Sequence, residues 1–301
     1  MAIVCLVRMA AERFNIVGVV PPHHSEPTHE YMVSIAQNLG LNVMTFEKSI
    51  NDKALADKIR FLDPDIAIVC SYSKKFSKNL LESVRGGFIN IHPSLLPEYR
   101  GANAYSTVLI NQEKETGITL HFMDENFDTG NIIWQKKVPI EKNETMGTLF
   151  NKTNYLAADM VVEFFKQYEI NSDIKSFPQP EGEFKTADTI NDQNMKNVID
   201  WSKDAVYLES FIRALNPFIH AVTIFRGVFM RIHSASVLNK KTREKPGTIV
   251  SAKDTIDVAT GDGILQIRSM QFGSYMITDS KSFIEIFNPQ VGKGGERLGN
   301  G

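Results

Sequence analysis

Cysteine is scarce in this chain: only Cys5 and Cys70 occur in 301 residues. Two thiols cannot build a disulfide framework, so a reducing, cytoplasmic setting is expected. Long apolar runs are missing as well. No stretch approaches the roughly 18 consecutive apolar residues of a membrane-spanning helix. The N-terminus lacks the basic region, apolar run and small-residue cleavage site of a secretion signal. Charge of one sign is absent: 33 Lys and Arg stand against 35 Asp and Glu, for a net charge of −2. That balance excludes a strongly basic nucleic-acid coat and leaves room only for a local basic patch. There is no internal repeat, no low-complexity tract and no coiled-coil heptad. What remains is 43% hydrophobic and 23% charged, too apolar for disorder and long enough to bury one large core or two smaller ones.

The first two thirds alternate between helical and extended patterns. Residues 15–20 and 65–72 are short apolar runs of the kind buried on both faces of a sheet. Helices are predicted over 28–39, 52–62 and 78–84, with a short strand at 41–46 and further strands at 87–92, 118–123 and 132–138. The order predicts a mostly parallel, doubly wound α/β sheet with right-handed crossovers. Residues 145–169 predict a long helix with Leu149, Leu156, Met160 and Phe164 on one stripe and Thr145 as N-cap. The chain opens with Ile3, Leu6, Val7, Ala10 and Phe14 at helical spacing, which favours an initial helix over a strand at residues 2–6. A doubly wound half normally begins with a strand instead.

Residues 171–198 are polar, with two prolines and a glycine close together, and read as a linker between a domain at 1–170 and one at 199–301. The second domain begins with an amphipathic helix at 204–215. Short strands follow at 220–225, 228–237, 247–250, 256–259 and 264–268, with a hairpin signal at Gly261-Asp262-Gly263. One helix followed by several short strands predicts a small β-barrel of oligonucleotide-binding type.

The chemistry concentrates at residues 88–101. Alternation along the strand puts Asn90 and His92 on one face, and Pro93 ends the strand just beyond them. Ligands of open α/β sheets bind at that C-terminal edge. A histidine there can move a proton near neutral pH, and an amide can donate to a developing oxyanion. Asp128-Thr129-Gly130 could bring a carboxylate to the imidazole and favour its charged form. No nucleophile stands out: Ser94 follows His92 by two positions but has no elbow motif around it. The site reads as one for acid–base transfer between two bound substrates.

Asn90-x-His92-Pro93-Ser94-Leu95-Leu96-Pro97, then Thr116-Gly117-Ile118-Thr119-Leu120-His121, then Asp128-Thr129-Gly130 resemble the folate-dependent formyltransferase family. That family includes glycinamide ribonucleotide, methionyl-tRNA and amino-sugar N-formyltransferases. Ile212-Arg213-Ala214-Leu215-Asn216-Pro217, residues 246–250, Gly261-Asp262-Gly263 and Arg297-Leu298-Gly299 resemble the C-terminal barrel of the methionyl-tRNA and UDP-aminoarabinose enzymes. The resemblance implies 10-formyltetrahydrofolate as donor, no metal, and a primary amine as acceptor. It implies that Asn90 and His92 stabilise the oxyanion, that His92 assists proton transfer and that Asp128 tunes His92. It places the pterin against Lys75, Phe76 and Ser77 and against Asp124, Glu125, Asn126, Phe127 and Asp128. It also implies that the family's first strand and following loop are absent from this sequence, which keeps a truncated, inactive binding module as an alternative of another class.

Two departures bear on the acceptor. Ala102 stands where the UDP-aminoarabinose pattern carries an arginine. No Lys or Arg occurs between Phe14 and Glu47, where methionyl-tRNA formyltransferases resemble one another in a basic insertion that could grip phosphates. The expected acceptor is therefore a small molecule, a nucleotide-linked amino sugar, with initiator methionyl-tRNA as the alternative and no membrane partner. His23, His24 and His29 read as surface polar residues rather than metal ligands. His121 reads as a packed core residue. Arg226, Arg231, Lys240, Lys241, Arg243 and Lys245 read as a solvated face, with phosphate binding as the alternative.

Overall fold

The computed structural model describes residues 1–171, 173–190, 196–274 and 276–299. Ser172 and residues 191–195 of the expected linker, together with Tyr275 and the last two residues, lie outside the described residues. The chain divides into two compact units. The first comprises Met1–Ala104, Glu115–Pro139 and Phe150–Ala187, and the second Tyr105–Lys114, Ile140–Leu149 and Asp188–Gly301.

In chain order, α1 (Ala2–Ala11), α2 (His29–Asn38) and α3 (Lys53–Leu62) precede β1 (Ala67–Cys70), α4 (Lys78–Leu81) and β2 (Phe88–His92). Next come α5 (Ala104–Ile110), β3 (Glu115–Phe122), β4 (Ile132–Pro139) and α6 (Met146–Asn171). The sheet order is β1-β2-β3-β4. β1 and β2 run parallel, and β3 and β4 add antiparallel ladders. Helices cover both faces. Ile89 and Ile91 of β2 join Ile118 and Leu120 of β3 under Met160, Val161 and Phe164 of α6. On the other face Phe88 packs with Phe76, Leu80, Val84 and with Leu55 and Ile59 of α3. The first unit is thus a doubly wound α/β layer structure whose sheet is mixed.

The periodic stripe of α6 is buried as its spacing requires, with Leu149 and Met160 fully covered, and Thr145 Oγ1 accepts the Thr148 amide at 3.2 Å as an N-cap. The chain opens in helix, as the spacing predicts. The strands expected at 15–20 and 41–46 are reduced to one parallel bridge, Val19 with Val43. Pro21 and Pro22 follow at once and remove two consecutive backbone donors, so that pairing cannot extend.

The second unit holds α7 (Ala205–Leu215), β5 (Ala221–Phe225), β6 (Val228–Leu238), β7 (Ile249–Ala252), β8 (Ile256–Ala259), β9 (Ile264–Phe272), β10 (Met276–Asp279) and α8 (Ser280–Phe287). Asp204 caps α7 by accepting the Tyr207 amide at 2.8 Å. The antiparallel path is β5-β6-β9-β8-β7, with β10 on β9. No ladder joins β5 to β7 among the described residues. The segment at 296–299 spans that gap instead: Leu298 N donates to Gly247 O and Gly299 N to Ile224 O. The result is a small barrel-like sheet that is not closed, around a core that includes Leu208, Phe211, Phe225, Ile232, Ile267 and Phe283. The sequence pattern gives no element for α5, β10 or α8. In β10 the two apolar residues, Met276 and Ile277, stand side by side and show no alternation. α8 opens at its N-cap, Asp279, which accepts the Ser282 amide at 2.8 Å, and packs Phe283, Ile284 and Phe287 at helical spacing on the core. Among the described residues no helix is long and apolar enough to cross a membrane.

Candidate active site

β2 carries Phe88, Asn90 and His92 on one face, and antiparallel pairing sets His121 of β3 directly opposite Asn90. The loop after β3 then returns Asp128 to the same place. Asp128 adopts φ 56°, a left-handed conformation that costs a non-glycine residue roughly 1–2 kcal/mol. Gly130 makes this turn possible, because a Cβ there would lie 1.9 Å from the Phe122 carbonyl oxygen. Asp124 holds the loop from within. It accepts from the Thr129 hydroxyl at 2.7 Å and the Asn126 amide at 2.8 Å.

These residues form one hydrogen-bonded cluster. Asn90 Nδ2 donates to Asp128 Oδ1 at 3.2 Å and lies 3.1 Å from His121 Nε2. The other ring nitrogen of His121 faces the Phe122 carbonyl at 2.7 Å and so carries hydrogen. Neutral His121 can therefore accept from Asn90, whereas charged His121 would donate to Asp128 Oδ1, 3.5 Å away. His92 is 4% exposed. Its Nε2 donates to the Tyr99 carbonyl at 2.9 Å, and its Nδ1 stands 3.5 Å from Asp128 Oδ1. Gly101 N donates to Asp128 Oδ2 at 3.0 Å.

Burial pushes the His92 pKa down. The Asp128 charge and the Tyr99 carbonyl oppose that shift and His121 adds to it, and the ring ends below its ordinary value. For Asp128 burial pushes upward. Hydrogen bonding from His121, the His92 charge and the Gly101 amide outweigh it, and the carboxyl ends below its ordinary value. The cluster favours a carboxylate beside an imidazole that is neutral near pH 7 yet has a counter-charge ready for a second proton.

Asn90, His121 and Asp128 open on a shallow cleft. Tyr72, Lys74, Lys75, Phe76, Met123, Asp124, Asn126 and Phe127 complete its walls. His92, 3.5 Å from Asp128, is not among the wall residues. Of the pterin contacts expected from the sequence, Lys75, Phe76, Asp124, Asn126 and Phe127 reach the cleft, whereas Ser77 and Glu125 do not. Ser77 instead caps α4, and its amide donates to Asn51 Oδ1 at 2.7 Å. Lys75 Nζ sits 5.4 Å from the centre of the Phe127 ring and 3.4 Å from Asn126 Oδ1. Aromatic faces with amide and carboxylate edges suit a flat heterocycle that has polar edges.

Ser94 is fully buried and donates to the Glu98 carbonyl at 2.6 Å, a role in loop structure rather than attack. Thr119 Oγ1 donates to Ser94 O at 2.6 Å and accepts from Leu96 N and Gln135 Nε2. The motif's hydroxyls thus hold the loop that offers Tyr99 O to His92. From its alternation in the strand, His121 is expected to be a packed core residue. It is buried, at 1% exposure, but it belongs to the cluster and to the cleft wall. Its position opposite Asn90 on the same face was the available signal. His23 and His29 turn to Ser25, Glu47 and Pro22, and no three potential metal ligands converge among the described residues. In the second unit Arg226 pairs with Glu296, and Lys241 lies 3.7 Å from Asp262.

Comparison with known sequences matches residues 5–165 to the formyl transferase family and residues 193–288 to the formyl transferase C-terminal domain. The methionyl-tRNA formyltransferase of Clostridioides difficile (strain 630) is 33% identical over 276 residues, 90% of this chain and 88% of its own. That of Alkaliphilus oremlandii (strain OhILAs) is 34% identical over 278 residues, with the same coverage. Among solved structures, the sugar 3N-formyltransferase WlaRD, determined with dTDP and 5-N-formyl-THF, gives a TM-score of 0.64. It is 19% identical, and the match covers 91% of this chain and 95% of that one. An N-formyltransferase from Helicobacter canadensis, in complex with folinic acid and dTDP-3-aminofucose, gives 0.62 at 21% identity over 88% and 94%. At those identities the likeness concerns the fold.

Proposed function

Because the chain belongs to the formyl transferase family and is a folate-dependent formyl-transfer enzyme, we propose that it formylates the primary amine of a nucleotide-linked amino sugar at the cluster of Asn90, His92 and Asp128. The observation that carries the site is the buried imidazole–carboxylate–amide arrangement opening on a cleft at the end of β2. When bound, 10-formyltetrahydrofolate supplies an electrophilic formyl carbon on N10. The bond from the acceptor amine to that carbon forms, the bond to N10 breaks, and the proton lost by the amine ends on N10.

The chain's own groups divide that work. Asn90 Nδ2, on the cleft wall, turns one N–H from its resting partners to the developing oxyanion. His92 keeps the Nε2 hydrogen on Tyr99 O, and a second proton reaches its Nδ1 by way of the Asp128 carboxylate, which lines the cleft and stabilises the charge. Phe76, Met123 and Phe127 offer apolar surface to the pterin, and Asp124 and Asn126 offer polar edges. Holding donor and amine together replaces a bimolecular encounter with a near-unimolecular step.

The amino-sugar acceptor rests on the lack of any Lys or Arg between Phe14 and Glu47, since a loop that grips a tRNA backbone needs cations. A second reading, initiator methionyl-tRNA, has its own support in relatives 33–34% identical over 90% of the chain. A panel of UDP-, dTDP- and GDP-linked amino sugars beside initiator methionyl-tRNA, followed by tetrahydrofolate release, separates the two. Turnover with one sugar and none with tRNA is expected. Turnover with tRNA alone, falling steeply with salt, overturns the sugar reading.

A further inference from the structure

The polar stretch after α6 supplies a side chain that hydrogen-bonds to the backbone of the Asp128 turn. Gln179 Nε2 donates one hydrogen to Asp128 O at 2.8 Å and the other to Gly130 O at 2.9 Å. Its Oε1 accepts from Arg100, from Nε at 3.1 Å and Nη2 at 2.5 Å. Two carbonyls on one side and a guanidinium on the other fix the amide orientation, because a flipped amide would oppose both pairs. From the geometry we infer that Gln179 is a positioning residue for formyl transfer. It pins the left-handed turn at Asp128, through Arg100, to the loop that also holds His92.

The connections run both ways. Arg100 lies between Tyr99, whose carbonyl takes the His92 Nε2 hydrogen, and Gly101, whose amide donates to Asp128 Oδ2. The same stretch secures that loop through its backbone. Tyr99 N donates to Lys185 O at 2.6 Å, and Ala187 N to Arg100 O at 2.8 Å. Gly101 fits only as glycine: its φ is 117°, and a Cβ would lie 2.6 Å from Ala187 O. The Arg100 guanidinium also lies over the Phe184 ring, 5.7 Å from its centre. One side-chain amide thus joins the two loops that present the imidazole and its counter-charge. Without it, the carbonyls of residues 128 and 130 lose their donor, the turn relaxes, and the carboxylate moves relative to His92 Nδ1.

This inference rests on the proposed roles of His92 and Asp128, so the test includes them. Gln179→Met keeps length and charge and removes every hydrogen bond; Arg100→Lys keeps the charge and removes the planar fork. Turnover is followed with 10-formyltetrahydrofolate and the sugar and methionyl-tRNA panel, tetrahydrofolate binding by fluorescence, and the His92 ring by NMR titration. The Gln179 variant is expected to lose about 10²-fold in kcat, the scale of a 1 Å misplacement. Tetrahydrofolate binding should change less than threefold, on the order of half a decade of affinity. The His92 titration should move to lower pH as the carboxylate withdraws. The Arg100 variant should change in the same direction, and the double variant should show little further loss. If the Gln179 variant does not fold, Arg100→Lys carries the same readouts. A wild-type kcat, or a lowered kcat with the His92 titration unmoved, overturns the inference. If His92→Ala and Asp128→Asn also keep full turnover, the failure belongs to the site assignment rather than to Gln179.

Discussion

Asn90 of β2 and His121 of β3 face each other across an antiparallel ladder, with the amide nitrogen 3.1 Å from the ring Nε2. Asp128 Oδ1 accepts the other Asn90 hydrogen, so both donors of the amide are engaged before any substrate arrives. One of those hydrogens must leave its resting partner when charge develops on the substrate. The result is a cluster in which three titratable or polar groups depend on one carboxylate.

That dependence is testable at Asp128. Asp128→Asn removes the negative charge that opposes the burial of His92, so the His92 titration should shift further down and turnover should slow. NMR titration of the ring, read beside the pH–rate profile, checks both. An unchanged profile contradicts the coupling.

The His92 shift also fixes a stability trend. Its folded pKa lies below the unfolded one, so the folded state binds fewer protons. The stabilisation is present above about pH 6.5, the unfolded value, and is lost as pH falls through the folded value. Asp128, also lowered, adds stabilisation present above about pH 3.9 and lost below it. Urea midpoints measured from pH 8 to pH 5 should therefore decline more steeply for wild type than for His92→Gln.

Thr119, fully buried, ties Ser94, Leu96 and Gln135 through one hydroxyl. Thr119→Val keeps the shape and leaves those groups short of partners. A loss of about 1–3 kcal/mol in unfolding free energy is expected. Lower turnover should accompany it, since the loop bearing the Tyr99 carbonyl loosens. Denaturant titration and initial rates check the two parts.

Gly130→Ala places a methyl where the Phe122 carbonyl already is. Relief requires the backbone to shift, at about 1–3 kcal/mol, and the shift moves Asp128. The same titration should show the loss, with kcat reduced more than donor affinity.

Much of this was legible beforehand. Apolar runs and helical stripes located α2, α3, β2 and α6 to within a few residues, because each buries one continuous face. Asn90, His92 and Asp128 were named from motif and alternation, and the structure brings them together. His121 was legible as strand but not as a member of the cluster, since pairing partners are set by register between strands 31 positions apart. The Tyr99 carbonyl and the Gly101 amide leave no mark on side-chain identity, although they hold His92 and Asp128. Gln179 was hidden for another reason. It lies in a stretch whose Pro, Gly and polar composition reads as linker, yet Phe177 pairs with Ile132 and Thr186 with Arg100. Composition reports a lack of regular structure, not a lack of contacts.

The most direct measurement is single-turnover formyl transfer from 10-formyltetrahydrofolate by His92→Ala beside wild type, on whichever acceptor of the panel wild type uses. The variant should remain folded and bind tetrahydrofolate, and its transfer step should slow by about 10²–10⁴-fold, the usual contribution of a positioned acid–base group. Transfer above roughly a tenth of the wild-type rate would place the chemistry elsewhere, since an acid–base group contributes more than that.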